Sequence, residues 1–174
     1  PVVGDFVGKD EPLFALYGNV SGIDDDMLVS SIDFGIERTL EQDPTFAFRI
    51  ILDIALKALS PAINDPTTAV LAIDQLHRLL RSVGERNLRT DNITDESGKL
   101  RIIFRTPNWE DFVTLACTEL RRYGADSIQV VRRLRAMIET LIRTLPEDRH
   151  AALQAQLALL DHAIKTIYLS LIHI

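Results

Sequence analysis

At 174 residues, with 47% hydrophobic and 25% charged side chains, the chain can build one domain with a real core, which excludes an intrinsically disordered polypeptide. A formal net charge of −6 argues against a general nucleic-acid binder, and the lone Cys117 excludes an internal disulfide. The charge is unevenly spread: residues 1–74 carry 4 basic and 13 acidic side chains (net −9), whereas residues 75–174 carry 15 and 12 (net +3). Such polarity lets the two halves attract one another, within or between subunits.

Residues 1–20 read as β territory. Val2-Val3-Gly4-Asp5-Phe6-Val7 is a short apolar run with a Gly-Asp turn, Lys9 to Pro12 is a polar turn, and Leu13 to Tyr17 reads as a second strand. The pattern resembles half of a small β-sandwich of the lipoyl/biotinyl type. Two strands alone are marginal in water, so residues 1–22 are expected to form a truncated β unit completed elsewhere, and the start at Pro1 to mark an excised fragment. Asp24-Asp25-Asp26 reads as a helix cap with a favourable dipole interaction, because the spaced ligands and closing Glu of a calcium loop are missing. The spacing of Leu28, Ile32 and Ile36 predicts a helix from about Asp25 to Ile36.

Asp43-Pro44 is a helix start, with the aspartate as cap and proline in the first turn. The predicted core stripe is Phe46, Ala47, Ile50, Ile51, Ile54, Ala55, Ala58 and Leu59, ending near Ser60 because Pro61 disfavours helical geometry there. Asp65-Pro66 repeats the start, with Ala69, Val70, Ile73, Leu76, Leu80 and Val83 inward and Gly84 as the expected C-terminal cap. The apolar stretch from Phe46 to Ile63 is broken by Arg49, Asp53 and Lys57, and no run reaches the ~18 apolar residues that a membrane span needs.

Farther on, Leu100 to Arg105 reads as a strand paired with a segment near Leu88 to Ile93 across the Asp95-Glu96-Ser97-Gly98 turn. A helix from about Asn108 to Arg122 turns Trp109, Phe112, Val113, Ala116 and Leu120 inward, with Cys117 beside them as a buried, inert thiol. Val131, Leu134, Ile138, Leu141 and Leu145, then Leu153, Leu157, Leu160, Ile164 and Ile167 after Pro146, predict an antiparallel helical hairpin. The fold class is therefore mainly α: a helical bundle over residues 23–168 with this C-terminal hairpin, a small incomplete N-terminal β element and a mid-chain β-hairpin. Residues 169–174 are expected to be a non-native tail. Arg121, Arg122, Arg132, Arg133, Arg135 and Arg143 read as a solvated cationic face, with anionic lipid or an acidic neighbour as the alternative.

Signatures of strong chemistry are missing: the chain holds no phosphate loop, dinucleotide fingerprint, nucleophile elbow or C-x-x-C, and its four histidines (His77, His150, His162, His173) are scattered. No cofactor and no metal site is expected. The polar residues singled out as ligand-binding candidates are Arg38, Asp43, Asp53, Ser60, Asn64, Asp65 and Thr68. Each also has a structural reading: Asp53 as an ion pair with Arg49 or Lys57, Asp74 likewise with Arg78, and Arg38, Thr39, Glu41, Gln42 and Asp43 as an anchor for the helix start. Asp43 and Asp65 stand about 24 Å apart if one helix joins them, too far to share a substrate within one subunit.

Four segments carry a family resemblance: Arg38-Thr39 with Gln42-Asp43, Asp53-Ile54-Ala55, the run Ala58-Leu59-Ser60-Pro61-Ala62-Ile63-Asn64-Asp65-Pro66-Thr67-Thr68-Ala69, and Asp74-Gln75-Leu76. Here the chain resembles a bacterial family of predicted multi-pass membrane proteins of unknown function, with one departure at Thr67, where the family pattern tends to have Phe. The resemblance implies transmembrane helices N-terminal to this portion and brings no catalytic residues. The leading expectation is a non-enzymatic extramembrane portion of a bacterial inner-membrane protein, serving assembly, ligand sensing or transport regulation. It is expected to be cytoplasmic and homo-oligomeric, joined to the membrane through an N-terminal region, with no nucleic-acid partner. The alternatives are an enzymatic or small-molecule site around residues 38–68, and a channel-like oligomer with acidic rings.

Overall fold

The bundle starts at Asp43, whose extended backbone and carboxylate cap the Thr45 amide ahead of α2 (Pro44–Ala58). In the computed structural model, which describes residues 2–18, 22–40, 42–88 and 91–172, it is preceded by α1 (Asp25–Ser30) and followed by α3 (Pro66–Gly84), β1 (Asn92–Thr94) and β2 (Leu100–Ile103). α4 (Trp109–Gly124), α5 (Ile128–Thr144), a 3-10 turn (Glu147–Arg149) and α6 (His150–Ile172) complete the order.

Five helices, α2 to α6, share one core. The Phe48 and Phe112 rings meet at 5.1 Å near the starts of α2 and α4, and a Cβ on Gly124 would touch Leu59 near their ends, so these helices run parallel. α3 and α5 do the same, with Gly84 against Leu145 at their ends. One end of the bundle thus gathers Asp43, Gly84, Trp109 and Leu145; the other gathers the α2–α3 and α4–α5 corners. Leu52, Leu76, Leu80, Leu120, Leu134, Leu141 and Leu153 are fully enclosed, each contributing on the order of 2 kcal/mol.

The α3, α4 and α6 stripes bury largely as their periodicity predicts, but the α2 stripe is rotated. Phe48, Leu52, Ala55 and Ala58 are buried, while Ile50 and Ile54 are exposed. Apolar residues occupy most positions from 46 to 56, so α2 has two apolar faces, and the one that brings Phe48 onto Phe112 wins. On α5 the inward residue is Val130 rather than Val131. Gly84 closes α3 without left-handed geometry. A Cβ there would lie 2.6 Å from Leu145 Cδ1 and 3.2 Å from the Trp109 ring, so this glycine serves close packing rather than capping.

α1 stops at Ser30, short of the expected Ile36. The hydroxyls of Ser30 and Ser31 donate back to the carbonyls of Met27 and Leu28, and α1 buries no residue that would reward a longer helix. Residues 2–18 form turns and irregular backbone without sheet pairing; the strands expected at Val2–Val7 and Leu13–Tyr17 have no partner among the described residues. The β1–β2 hairpin forms as predicted, pairing Asn92 with Ile103 and Ile93 with Ile102, and all its strand residues are exposed. Asp95 holds its turn by accepting from the Ser97 amide and hydroxyl and the Lys99 amide. Helix α6 continues through residues 169–172; Glu41, Arg89, Thr90 and His173 lie outside the described residues.

Candidate functional site

The most idiosyncratic text, Leu59 to Thr68, forms the corner between α2 and α3. Pro61 ends α2, and the Ser60 carbonyl collects the amides of Ile63 (3.0 Å) and Asn64 (2.8 Å). The Ser60 hydroxyl donates to the Lys57 carbonyl at 2.8 Å. Asn64 then adopts φ +46°, the left-handed geometry that asparagine tolerates better than most residues and that swings the chain into α3. Asp65 caps α3: its carboxylate accepts from the Thr68 amide (3.1 Å) and hydroxyl (2.5 Å), which hold it below the ordinary aspartate range. Its own amide bonds the Ala58 carbonyl at 2.7 Å, clasping the corner shut. Ser60, Asn64, Asp65 and Thr68 therefore each have a place in an αα-corner.

Arg38 and Asp43 meet at the opposite end of α2. The Arg38 guanidinium donates to Asp43 Oδ2 and to the Thr45 hydroxyl (3.2 Å), and stacks 5.5 Å from the Phe46 ring. Asp43 is 2% exposed. Burial pushes its carboxyl up, but the Thr45 and Arg38 hydrogen bonds outweigh burial and leave it below the usual range. Gly4 lies against this pair with φ +89°, so close that a Cβ would fall 2.5 Å from Asp43 Oδ2. Beside it opens a cleft of about 240 Å³ between Val3, Gln42, Pro44, Leu88, Phe104 and Arg105. An adjoining hollow of about 220 Å³ extends it to Asp91 and Asn108.

The seven singled-out residues do not converge. Arg38 and Asp43 sit at one end of a 15-residue helix, Ser60, Asn64, Asp65 and Thr68 at the other, roughly 22 Å away at 1.5 Å per residue. Asp53 lies between them on an exposed face, paired with Arg49 at 2.9 Å. Arg49 also reaches Glu119 on α4 at 2.6 Å. No buried side-chain polar atom among the described residues lacks a hydrogen-bond partner, and no cluster of three or more His, Cys, Asp or Glu side chains is placed to hold a metal ion.

Two nodes escaped the sequence reading. Asp74 pairs across the bundle with Arg133 of α5 rather than with Arg78, which reaches Gln75 instead. Arg133 also stands 3.0 Å from His77 Nδ1, so that nitrogen accepts and the ring is neutral. The second node joins Trp109 and Arg149. Trp109 Nε1 donates to the Arg149 carbonyl (2.9 Å), the guanidinium lies 5.9 Å from the indole, and Arg149 donates to the Gly84 carbonyl at the end of α3 and the Arg86 carbonyl just past it. Only the tertiary fold brings these residues together, so no local pattern signals them. Several arginines of the expected cationic face are also used internally: Arg121 on Gln156, Arg133 on Asp74, Arg135 on Asp161. Cys117 is buried, and burial pushes its thiol up to about 12, leaving it protonated and unreactive at neutral pH.

Burial, then the Arg133 charge, hold His77 below the ordinary imidazole value. The unfolded chain therefore binds this proton more readily than the folded one. The neutral ring's contribution is complete above about pH 6.5 and is lost as pH falls from there through the depressed folded value. Thermal unfolding followed from about pH 7 to about pH 5 is expected to show a falling Tm, with the slope flattened in His77→Gln, which keeps an acceptor for Arg133 without titrating. An unchanged slope in the variant contradicts this assignment.

The family model described as "Predicted membrane protein (DUF2254)" matches residues 1–140. Curated relatives include uncharacterized proteins of Mycobacterium bovis (strain ATCC BAA-935 / AF2122/97) and Mycobacterium tuberculosis (strain ATCC 25618 / H37Rv). Each is 34% identical over 133 residues, covering 76% of this chain and 26% of the relative. The chain thus spans about a quarter of the length of these relatives. No solved structure matches it.

Proposed function

The chain belongs to this family of predicted membrane proteins, and we propose that it is a cytoplasmic, extramembrane portion of a bacterial inner-membrane protein that serves that protein's assembly. No helix among the described residues is long and apolar enough to cross a membrane, so within this reading the bilayer is crossed by other parts of the protein. The observation that carries the assembly reading is the unburied N-terminal stretch. Among the described residues of 2–40 none is buried, and Phe6, Tyr17, Met27, Phe34 and Ile36 stand in solvent. Residues 43–164, by contrast, close a complete core. Apolar side chains in this number are covered in a working protein, in this reading by a second copy.

Light scattering on this chain and on the full-length protein tests the reading. The expected result is an oligomer in at least the full-length protein, lost when residues 2–40 are deleted; strictly monomeric behaviour in both sinks it. Small-molecule sensing is the second reading, supported by the cleft beside Asp43. The corner at Ser60–Thr68 lends it less, since the groups of Ser60, Asp65 and Thr68 are bonded within the chain.

A further inference from the structure

The parallel courses of α2 and α4 bring two helix corners to the same end of the bundle, remote from the cleft. Their tips are apolar and open: Ile63 on the α2–α3 corner is 50% exposed, and Tyr123 and Ile128 flanking the α4–α5 corner are 58% and 55% exposed. Around them stand Lys57 in the last turn of α2, Arg122 in the last turn of α4 and Arg132 in the first turns of α5, all exposed. α6 starts beside the end of α5, where His150 meets the Leu145 carbonyl, and still pairs with it at Arg135–Asp161, so the two run antiparallel and Lys165 joins the same end. None of these four cations pairs with a carboxylate among the described residues; Arg122 stacks on Tyr123 at 5.8 Å. The facing anions are fewer: Asp126 is exposed between α4 and α5, and Asp65 is engaged with Thr68. This differs from the flanks of the bundle, where Arg133 and Arg135 are matched by acids.

We propose that this end rests on an anionic lipid surface. Cations set around apolar and aromatic tips match an interface in which phosphate headgroups meet the Lys and Arg side chains while Ile and Tyr enter the boundary layer. A second copy would bring the same excess positive charge to a two-fold contact, and like charges would oppose it. The proposal uses the membrane-protein reading only for the presence of a bilayer nearby. It does not depend on assembly, and its test reads lipid binding rather than mass.

The test is flotation of this chain with vesicles of phosphatidylcholine alone and of equal parts phosphatidylcholine and phosphatidylglycerol. Binding is expected to the anionic vesicles only and to weaken with added salt. A cation at such a surface is worth about a fivefold change in affinity, so Arg122→Gln with Arg132→Gln is expected to weaken binding about 25-fold. Arg86→Gln with Arg105→Gln, at the cleft end, is expected to leave it unchanged. Circular dichroism checks that each variant is folded. Equal binding to neutral vesicles, no binding to either, or equal loss in both double variants overturns the proposal. Self-association that needs Arg122 and Arg132, without vesicle binding, overturns it in favour of a protein contact.

Discussion

Trp109→Ala is expected to cost the fold about 4 kcal/mol, within the range for large aromatic truncations in a packed core, and to lower Tm by on the order of 10 °C in a chain of this size. The ring is 2% exposed and joins three elements at one point. Its edge packs where Gly84 ends α3, its Nε1 holds the Arg149 carbonyl, and its face lies beside the Arg149 guanidinium that satisfies the last carbonyl of α3. Alanine removes the packing and loosens the Arg149 contacts together. Trp109→Phe separates the two: it keeps most of the apolar volume and loses the Nε1 bond, for about 1 kcal/mol plus a small repacking cost. Denaturant unfolding of both variants checks this, and an alanine variant as stable as the parent contradicts it.

The bundle was largely readable from sequence because its helices announce themselves locally. Asp43-Pro44, Asp65-Pro66 and Asn108 with Asp111 each carry their own cap, and the structure uses all three. The alternating three-and-four steps of α5 and α6 leave one way to bury a stripe. Where the sequence misleads, the physical cause is specific. On α2 two apolar faces compete, and only contact with Phe112 chooses between them. On α1 the apolar spacing is present, yet none of its side chains is buried, so serine hydroxyls end it early. Gly84 resembles a cap by position and proves to be a contact, a distinction set by Leu145 some sixty residues away.

The candidate site divides along similar lines. Arg38 and Asp43 lie five residues apart in sequence and meet in space beside a cleft, whereas Asp53 is the local ion pair that its spacing allows. The cross-bundle group of Asp74, His77 and Arg133 could not be foreseen, because an i,i+4 pairing with Arg78 was equally available on paper. Capping by Asp65 does not by itself explain why an asparagine precedes it. The backbone does, since Asn64 occupies left-handed geometry. The unusual density of polar residues at this corner thus follows from stopping one helix, turning the chain and starting the next within seven residues.

That account meets its most direct test at Asn64, through thermal unfolding of Asn64→Gly and Asn64→Val side by side. Glycine takes positive φ freely and is expected to leave stability within about 0.5 kcal/mol of the parent, whereas a β-branched residue is strained there and is expected to lose about 2 kcal/mol. A glycine variant as damaged as the valine variant would mean that the amide side chain, rather than the backbone geometry, is what this position supplies, and the structural account of the corner would be wrong.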